Sequence, residues 1–196
     1  MIKKHPDLPL SSVCEIGCGA GGVLAELQRL LPETTSFTGY EISPQAHIIS
    51  KIFENDRCQY ILGDAFANPI INDLALVIDV VEHVEDCFSF MRRVKHKSKF
   101  ALYHIPIDAH ASSMLRGVTC WDSLGHLHLF TEHTALRTIE QAGYHIIDWC
   151  LTDGAVQRPR SLKTRLVNSL RRPVAHFSPR LAARTLGGYS ILILAQ

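Results

Sequence analysis

The stretch Val13 to Gly22, VCEIGCGAGG, sets Gly17, Gly19, Gly21 and Gly22 between a short apolar run and the helix-like VLAELQRLL. Lacking a Cβ, glycine lets the backbone take a positive φ and lets a ligand lie directly on the main chain. The helix that follows turns unpaired N–H groups and the positive end of its dipole toward that gap, which suits a nucleotide-like or carboxylate-bearing ligand. The spacing Gly17-x-Gly19-x-x-Gly22 also fits the dinucleotide fingerprint, a weak signal by itself because glycine turns also serve simply to close strand–helix units. Glu41 comes nineteen residues after Gly22, where a carboxylate can accept from both ribose hydroxyls of a nucleoside. Asp64, within Gly63-Asp64-Ala65, can accept from an exocyclic amine or cap the turn that follows. Past the apolar run LALVIDVV stands Glu82-His83-Val84-Glu85-Asp86, acids and a histidine at the edge where open α/β sheets bind ligands.

For these groups to meet, strands must deliver them to one rim. VCEI, SFTGYEI, CQYIL, LALVIDVV and KFALYHIPI read as strands rich in β-branched and aromatic residues, separated by helix-like runs. Ser43-Pro44 supplies an N-cap with proline at the first helical position before QAHIISKIFEN, and FSFMRRVKH is the next expected helix. Asp108 to Gly125, around Trp121, reads as a loop or partly helical insertion of the kind that carries substrate contacts. After the alternating GHLHLF, Thr131 and Thr134 can each cap the helix ALRTIEQA, which Gly143 ends. YHIIDWCL and YSILILA are the last two strands. Strands alternating with helices imply a mostly parallel sheet covered on both faces.

Composition sets the outer bounds. A chain of 196 residues is compatible with one domain, residues 1–196, and with a substantial core. With 46% hydrophobic residues, 20% charged residues and a net charge of +1, it is neither of the disordered class nor generally attractive to phosphate backbones. No apolar stretch approaches the roughly 20 residues of a spanning helix, and MIKKHPDLPLSS has no apolar signal core, so a cytoplasmic protein is expected. Six cysteines without a CxxC pair read as free thiols, and no metal site is expected. Residues 155–186 differ in carrying Arg158, Arg160, Lys163, Arg165, Arg171, Arg172, Arg180 and Arg184 but no acid, with Leu162, Leu166, Val167 and Leu170 at helical spacing. This basic helical insertion either packs over the sheet as a solvated helix or offers a surface, through 158–184, to an anionic membrane, a phosphorylated substrate or nucleic acid.

Glu15-Ile-Gly17-Cys18-Gly19-Ala-Gly21 puts an acid two residues ahead of G-x-G-x-G. Taken with Glu41, Gly63-Asp64-Ala65, Asp79-Val80-Val-Glu82-His83-Val, and the later His126-Leu-His128-Leu-Phe130-Thr131 and Ala142-Gly143-Tyr144, it resembles the class I S-adenosylmethionine-dependent methyltransferases. The likeness is strongest to the small-molecule branch that includes ubiquinone and menaquinone biosynthesis enzymes, and it covers about residues 12–151 plus the last strand. The resemblance implies an α/β, Rossmann-like sheet of seven strands in the order 3-2-1-4-5-7-6, the last antiparallel, with helices on both faces. It implies S-adenosylmethionine as cofactor and S-adenosylhomocysteine as product. By the same likeness the turn Gly17-Cys18-Gly19 would let backbone approach the methionine part of the cofactor, and Glu15 would face its ammonium. Glu41 would hold the ribose hydroxyls, Ile42 would pack on adenine, Asp64 and Ala65 would recognise its amino edge, and Asp79 and Val80 would line the methionyl side.

The implied function is methyl transfer to a small-molecule acceptor, on oxygen or carbon, with a lipid-linked or phosphorylated acceptor left open. The sulfonium is already an activated donor, so the protein mainly aligns the nucleophile and excludes water. A hydroxyl or acidic carbon still needs a base, and His126, His83 and His128 are the candidates in a chain of eleven histidines. Family members often carry helices that roof the pocket before the first strand, whereas a dozen residues precede Val13. Closure is therefore expected from residues 106–125, from the basic segment, or from another subunit of a homo-oligomer. A NAD-dependent oxidoreductase and a non-catalytic nucleotide-binding or scaffold protein stay open as alternatives. A nucleic-acid methyltransferase is disfavoured, because no Asn/Asp-Pro-Pro-aromatic signature follows the fourth strand.

Overall fold

A computed structural model describes residues 1–67, 69–117, 124–153 and 162–196. Seven strands form one sheet: β1 (Ser12–Ile16), β2 (Ser36–Glu41), β3 (Cys58–Leu62), β4 (Asn72–Ile78), β5 (Ser98–Pro106), β6 (Ile146–Thr152) and β7 (Ser190–Ala195). Their order is 3-2-1-4-5-7-6. Pairings among β1 to β5 are parallel, and β7 runs antiparallel to both of its neighbours. Among the described residues the α-helices are α1 (Gly22–Leu27), α2 (Pro44–Ser50), α3 (Cys87–Lys97), α4 (Ala111–Leu115), α5 (Glu132–Gln141), α6 (Leu162–Phe177) and α7 (Pro179–Leu186). Of the loop or partly helical insertion expected over Asp108 to Gly125, α4 forms the helical part, whereas residues 118–123, with Cys120 and Trp121, lie outside the described residues, as do Arg158 and Arg160 of the basic segment.

Because successive side chains on a strand face opposite ways, the apolar run of β4 feeds two cores. Ala75 and Val77 join Cys14, Met91, Tyr103, Ile105 and Ile139 on one face. Leu74 and Leu76 join Val13, Leu24, Phe37 and Leu194 on the other. A strand buried on both faces reads as continuously hydrophobic rather than alternating, which is why LALVI shows no polar face. Within the first core Tyr103 donates its hydroxyl to Tyr144 (2.8 Å), and Tyr144 donates to the Met91 carbonyl (2.9 Å), so neither buried phenol is left unpaired.

Local signals set the helix starts. Ser43 accepts from the Ala46 N–H with Pro44 behind it, Asp86 caps α3, and Thr131 and Thr134 form a reciprocal box at α5. One expectation is corrected. The strand expected over LALVIDVV ends at Ile78, because Asp79 takes a left-handed φ of 53° that breaks the pleat, and Val81–His83 form a 3-10 turn instead. In the basic segment Leu166 and Leu170 are 73% and 64% exposed and Val167 is half-buried, while Asn168 and Arg171 are buried. Arg171 donates to the Leu186 carbonyl from Nε and Nη2 and to Asn168 Oδ1 from Nη1, fastening the end of α7 to α6.

Candidate active site

Parallel strands bring the carboxyl ends of β1, β2, β3 and β4 to one rim, and backbone bonds hold those ends in register. Gly17 and Cys18 both donate to the Tyr40 carbonyl, and Gly63 donates to the Glu41 carbonyl at 2.8 Å. Tyr60 reaches across from β3 and donates its hydroxyl to the Gly21 carbonyl (2.9 Å), which pins the far side of the glycine turn.

Two glycines need their freedom here. Gly17 has φ +75°, and a Cβ on it would stand 2.7 Å from Val80 Cγ2, so Val80 packs against bare backbone. Gly19 has φ +52°, and a Cβ there would meet nothing within 4 Å. Open space over a left-handed glycine next to a helix start is room for a ligand rather than for a neighbouring side chain.

The Glu41 carboxylate closes the turn. Oε2 accepts from the Gly19 N–H at 2.7 Å and Oε1 from the Ser43 N–H at 2.8 Å. Each oxygen keeps a second lone pair. Ile42 beside it is 77% exposed, an apolar side chain lying bare at the rim. Glu15 is buried beneath the turn with Oε2 unpartnered. Burial, reinforced by the nearby charge of Glu41, pushes its carboxyl up to about 8.

Asp64 sits at the same rim and caps its own turn, Oδ1 accepting from the Phe66 N–H at 2.9 Å. Its Oδ2 pairs with Arg93 at 3.1 Å, and that guanidinium lies 4.0 Å over the Phe66 ring. Ala65 is buried behind it. Cys18 turns its thiol into the second core and gives its N–H to Tyr40, so it shapes the turn without lining the rim. A concavity bordered by Lys51, Glu54 and Tyr60 opens along β3, touching neither the glycine turn nor Glu41.

On the other side of the rim, Asp79 combines its strained backbone with a bond from His104 Nδ1 to Oδ1 at 2.7 Å. His104 Nε2 meets the Thr152 hydroxyl at 3.0 Å, so the ends of β4, β5 and β6 are tied together. Sequence reasoning did not single out His104 or Thr152, since each sits in a strand with no local signature.

The histidine candidates separate in space. His83 and His126 stand edge to face with ring centroids 4.9 Å apart. They meet because Leu127 and His128 both donate their N–H groups to the Glu82 carbonyl. His126 Nδ1 donates to Asp108 Oδ2 at 2.7 Å and His83 Nδ1 to the Gly125 carbonyl at 3.0 Å, since a carboxylate and a carbonyl can only accept. Nε2 is thereby left as the lone-pair nitrogen of each ring. His128 instead gives Nε2 to the carbonyls of Val84 and Glu85, so it anchors the segment rather than facing the site. Glu82, which sequence reasoning located but assigned no role, is 1% exposed with neither carboxylate oxygen partnered. Burial foremost, and then the charges of Asp79 and Asp108, push its carboxyl up to about 8.

Residues 4–148 match the family model described as a methyltransferase domain. Three solved structures illustrate the likeness of fold. Magnesium protoporphyrin IX methyltransferase from Synechocystis PCC 6803, with bound S-adenosylhomocysteine, is 14% identical with a TM-score of 0.63 over 99% of this chain and 77% of its own. A putative sarcosine dimethylglycine methyltransferase from Galdieria sulphuraria is 15% identical with a TM-score of 0.66 over 95% and 77%. An S-adenosylmethionine-dependent methyltransferase from Mesorhizobium loti is 16% identical with a TM-score of 0.61 over 96% and 93%. No curated protein matches the chain significantly.

Proposed function

Because the chain belongs to the methyltransferase domain family, we propose that it transfers the methyl group of S-adenosylmethionine to a small-molecule acceptor, on oxygen or carbon, as a single cytoplasmic domain of residues 1–196. The observation that carries this reading is the rim itself: open space over Gly19, the Glu41 carboxylate locked beside it, and the buried, unpartnered Glu15 oxygen below. A ligand with a ribose diol and an ammonium matches those three features together, and the residues present fit it. The free thiols of Cys14, Cys18, Cys58, Cys87 and Cys150 agree with a reducing compartment. Among the described residues no helix is long and apolar enough to cross a membrane.

When bound, S-adenosylmethionine supplies a methyl group already activated on a sulfonium. Glu41 would accept from the ribose hydroxyls with its spare lone pairs while its bonds to Gly19 and Ser43 hold it still. Ile42 would cover one face of adenine, Asp64 and Ala65 would meet its amino edge, and Glu15 would face the ammonium. Asp79 and Val80 would line the methionyl side next to the bare Gly17 and Gly19. His126 and His83, each with Nε2 available, would accept the proton of the acceptor, and Asp108 and the Gly125 carbonyl would keep both rings in the required tautomer. His128 would position that segment.

Among the described residues of the basic segment, Arg171 as above, and Arg180 and Arg184 on Glu132, have internal partners. The exposed Leu166, Leu170, Phe177 and Leu181 remain, with Arg165 and Arg172 beside them. They are the surface through which a lipid-linked acceptor or an anionic membrane would be met. Liposome flotation at low and high salt tests that contact. The decisive experiment is thermal shift with S-adenosylmethionine, S-adenosylhomocysteine and NAD in parallel. A rise with the first two and none with NAD is expected, since a ligand selective for the native state raises Tm. A response to NAD alone would transfer the site to the oxidoreductase reading.

A further inference from the structure

Buried carboxylates normally find a hydrogen-bond donor or a cation, because an uncompensated one costs several kcal/mol. Among the described residues Glu82 has neither: both oxygens are buried and unpartnered. Facing it are not cations but two imidazoles, and one ligand atom each from Glu82, His83 and His126 lies within 4.8 Å of the others. Ion pairing with either ring would need that ring protonated at Nε2, whereas among the described residues no group accepts from Nε2 of His83 or His126. A cation between the three groups would satisfy all of them together.

The outer contacts point the same way. Metal-binding histidines commonly donate their second ring nitrogen to a carboxylate or backbone carbonyl, which fixes the tautomer and raises the basicity of the ligating nitrogen. His126 does so to Asp108 and His83 does so to Gly125. We propose that Glu82, His83 and His126 bind one divalent transition-metal ion, represented by zinc, with at least one coordination position left open toward the acceptor side of the rim. Two imidazoles and one carboxylate suit zinc and its first-row neighbours, whereas magnesium and calcium prefer all-oxygen sets. Donors on a zinc at about 2.0–2.2 Å stand roughly 3–3.5 Å apart, so the three would draw in by about 1–2 Å. The exposed His83 ring has room for that movement. No spacing in the sequence announces the set, because His126 arrives from forty-three residues beyond His83 and is held there by backbone bonds to Glu82.

A role for the metal rests on the methyl-transfer reading. In the open position it would take an oxygen of the acceptor and lower the pKa of that hydroxyl. His83 and His126 would then act through the metal rather than take the proton themselves. Metal binding itself needs neither cofactor nor acceptor, and the thermal shift with S-adenosylmethionine needs no metal, so failure of one leaves the other standing.

The test is calorimetric titration of zinc into the full chain after removal of metal with a chelator, with metal content measured after gel filtration. One site per chain is expected. Its affinity should fall at least a hundredfold in His83→Ala and in His126→Ala, and about ten- to a hundredfold in Asp108→Asn. It should be unchanged in His133→Ala, which removes an exposed histidine elsewhere and controls for adventitious binding. Cobalt in place of zinc should give visible absorption that His133→Ala keeps and His126→Ala loses. Circular dichroism confirms that each variant is folded, and the exposed position of His83 keeps that arm informative if His126→Ala is not. No saturable binding, equal binding in His83→Ala and the wild type, or preference for magnesium would overturn the proposal.

Discussion

Replacing Glu15 with glutamine removes a buried titratable group while keeping its shape. In the folded chain the Glu15 carboxyl is raised from 4.5 to about 8, so between those values the native state holds a proton that the unfolded state has lost. Stability contributed by the neutral form is complete below about pH 4.5 and declines as pH rises toward 8. At about 1.4 kcal/mol per pKa unit, the loss across that window is at most about 5 kcal/mol for this group. Urea unfolding of wild type and Glu15→Gln at pH 5, 6, 7 and 8 should give midpoints that coincide near pH 5 and separate steadily, the variant being the more stable at pH 8. Glu82 titrates in both proteins, so the difference between the two curves isolates Glu15. Cofactor binding supplies a second reading. An ammonium placed beside Glu15 favours its ionised form, so binding at pH 7 should release close to one proton. That release is measurable as a dependence of the calorimetric enthalpy on buffer ionisation, and it should be absent in Glu15→Gln. Parallel stability curves together with identical buffer dependence would refute both the burial argument and the placement of the ammonium.

Charge-assisted bonds contribute roughly 1.5–3 kcal/mol each, so Glu41→Ala should weaken S-adenosylmethionine binding about ten- to a hundredfold by calorimetry, and unchanged affinity would remove Glu41 from the site. Gly19→Ala should cost about 1–2 kcal/mol in urea unfolding, because L-residues resist φ near +52°. It should cost far more in cofactor binding, since the new methyl enters the open space above the turn; equal affinity would mean that no ligand lies there. Tyr144→Phe breaks the Tyr103–Tyr144–Met91 relay and leaves the buried Tyr103 hydroxyl without its acceptor, lowering stability by about 1–3 kcal/mol. Its cofactor affinity should not move, and a large drop would show that this core is coupled to the rim.

Local chemistry made much of this protein legible. The glycine turn, Ser43-Pro44, the Thr131–Thr134 box and the doubly buried LALVI run depend on neighbours within a few residues, and the sheet order follows from matching several such pieces to one resemblance. Glu41 and Asp64 are legible because parallel strands all end at one edge, whereas Glu15 is implied only by the resemblance. Asp64 caps its own turn, one of the two roles its spacing allowed, and also pairs with Arg93, while its contact with adenine stays a proposal. Nothing local could announce the end of β4 at Ile78, which turns on the left-handed Asp79, nor the outward face of Leu166 and Leu170, which follows from Arg171 reaching the Leu186 carbonyl. Pairwise distance decided the rest. Glu82, His83, Asp108 and His126 lie on three separate stretches of chain, brought within reach of one another by the bonds from Leu127 and His128 to the Glu82 carbonyl together with those from His83 to Gly125 and from His126 to Asp108. Periodicity reports which way a residue faces on its own element. Which residue of another element it meets is set by how those elements pack.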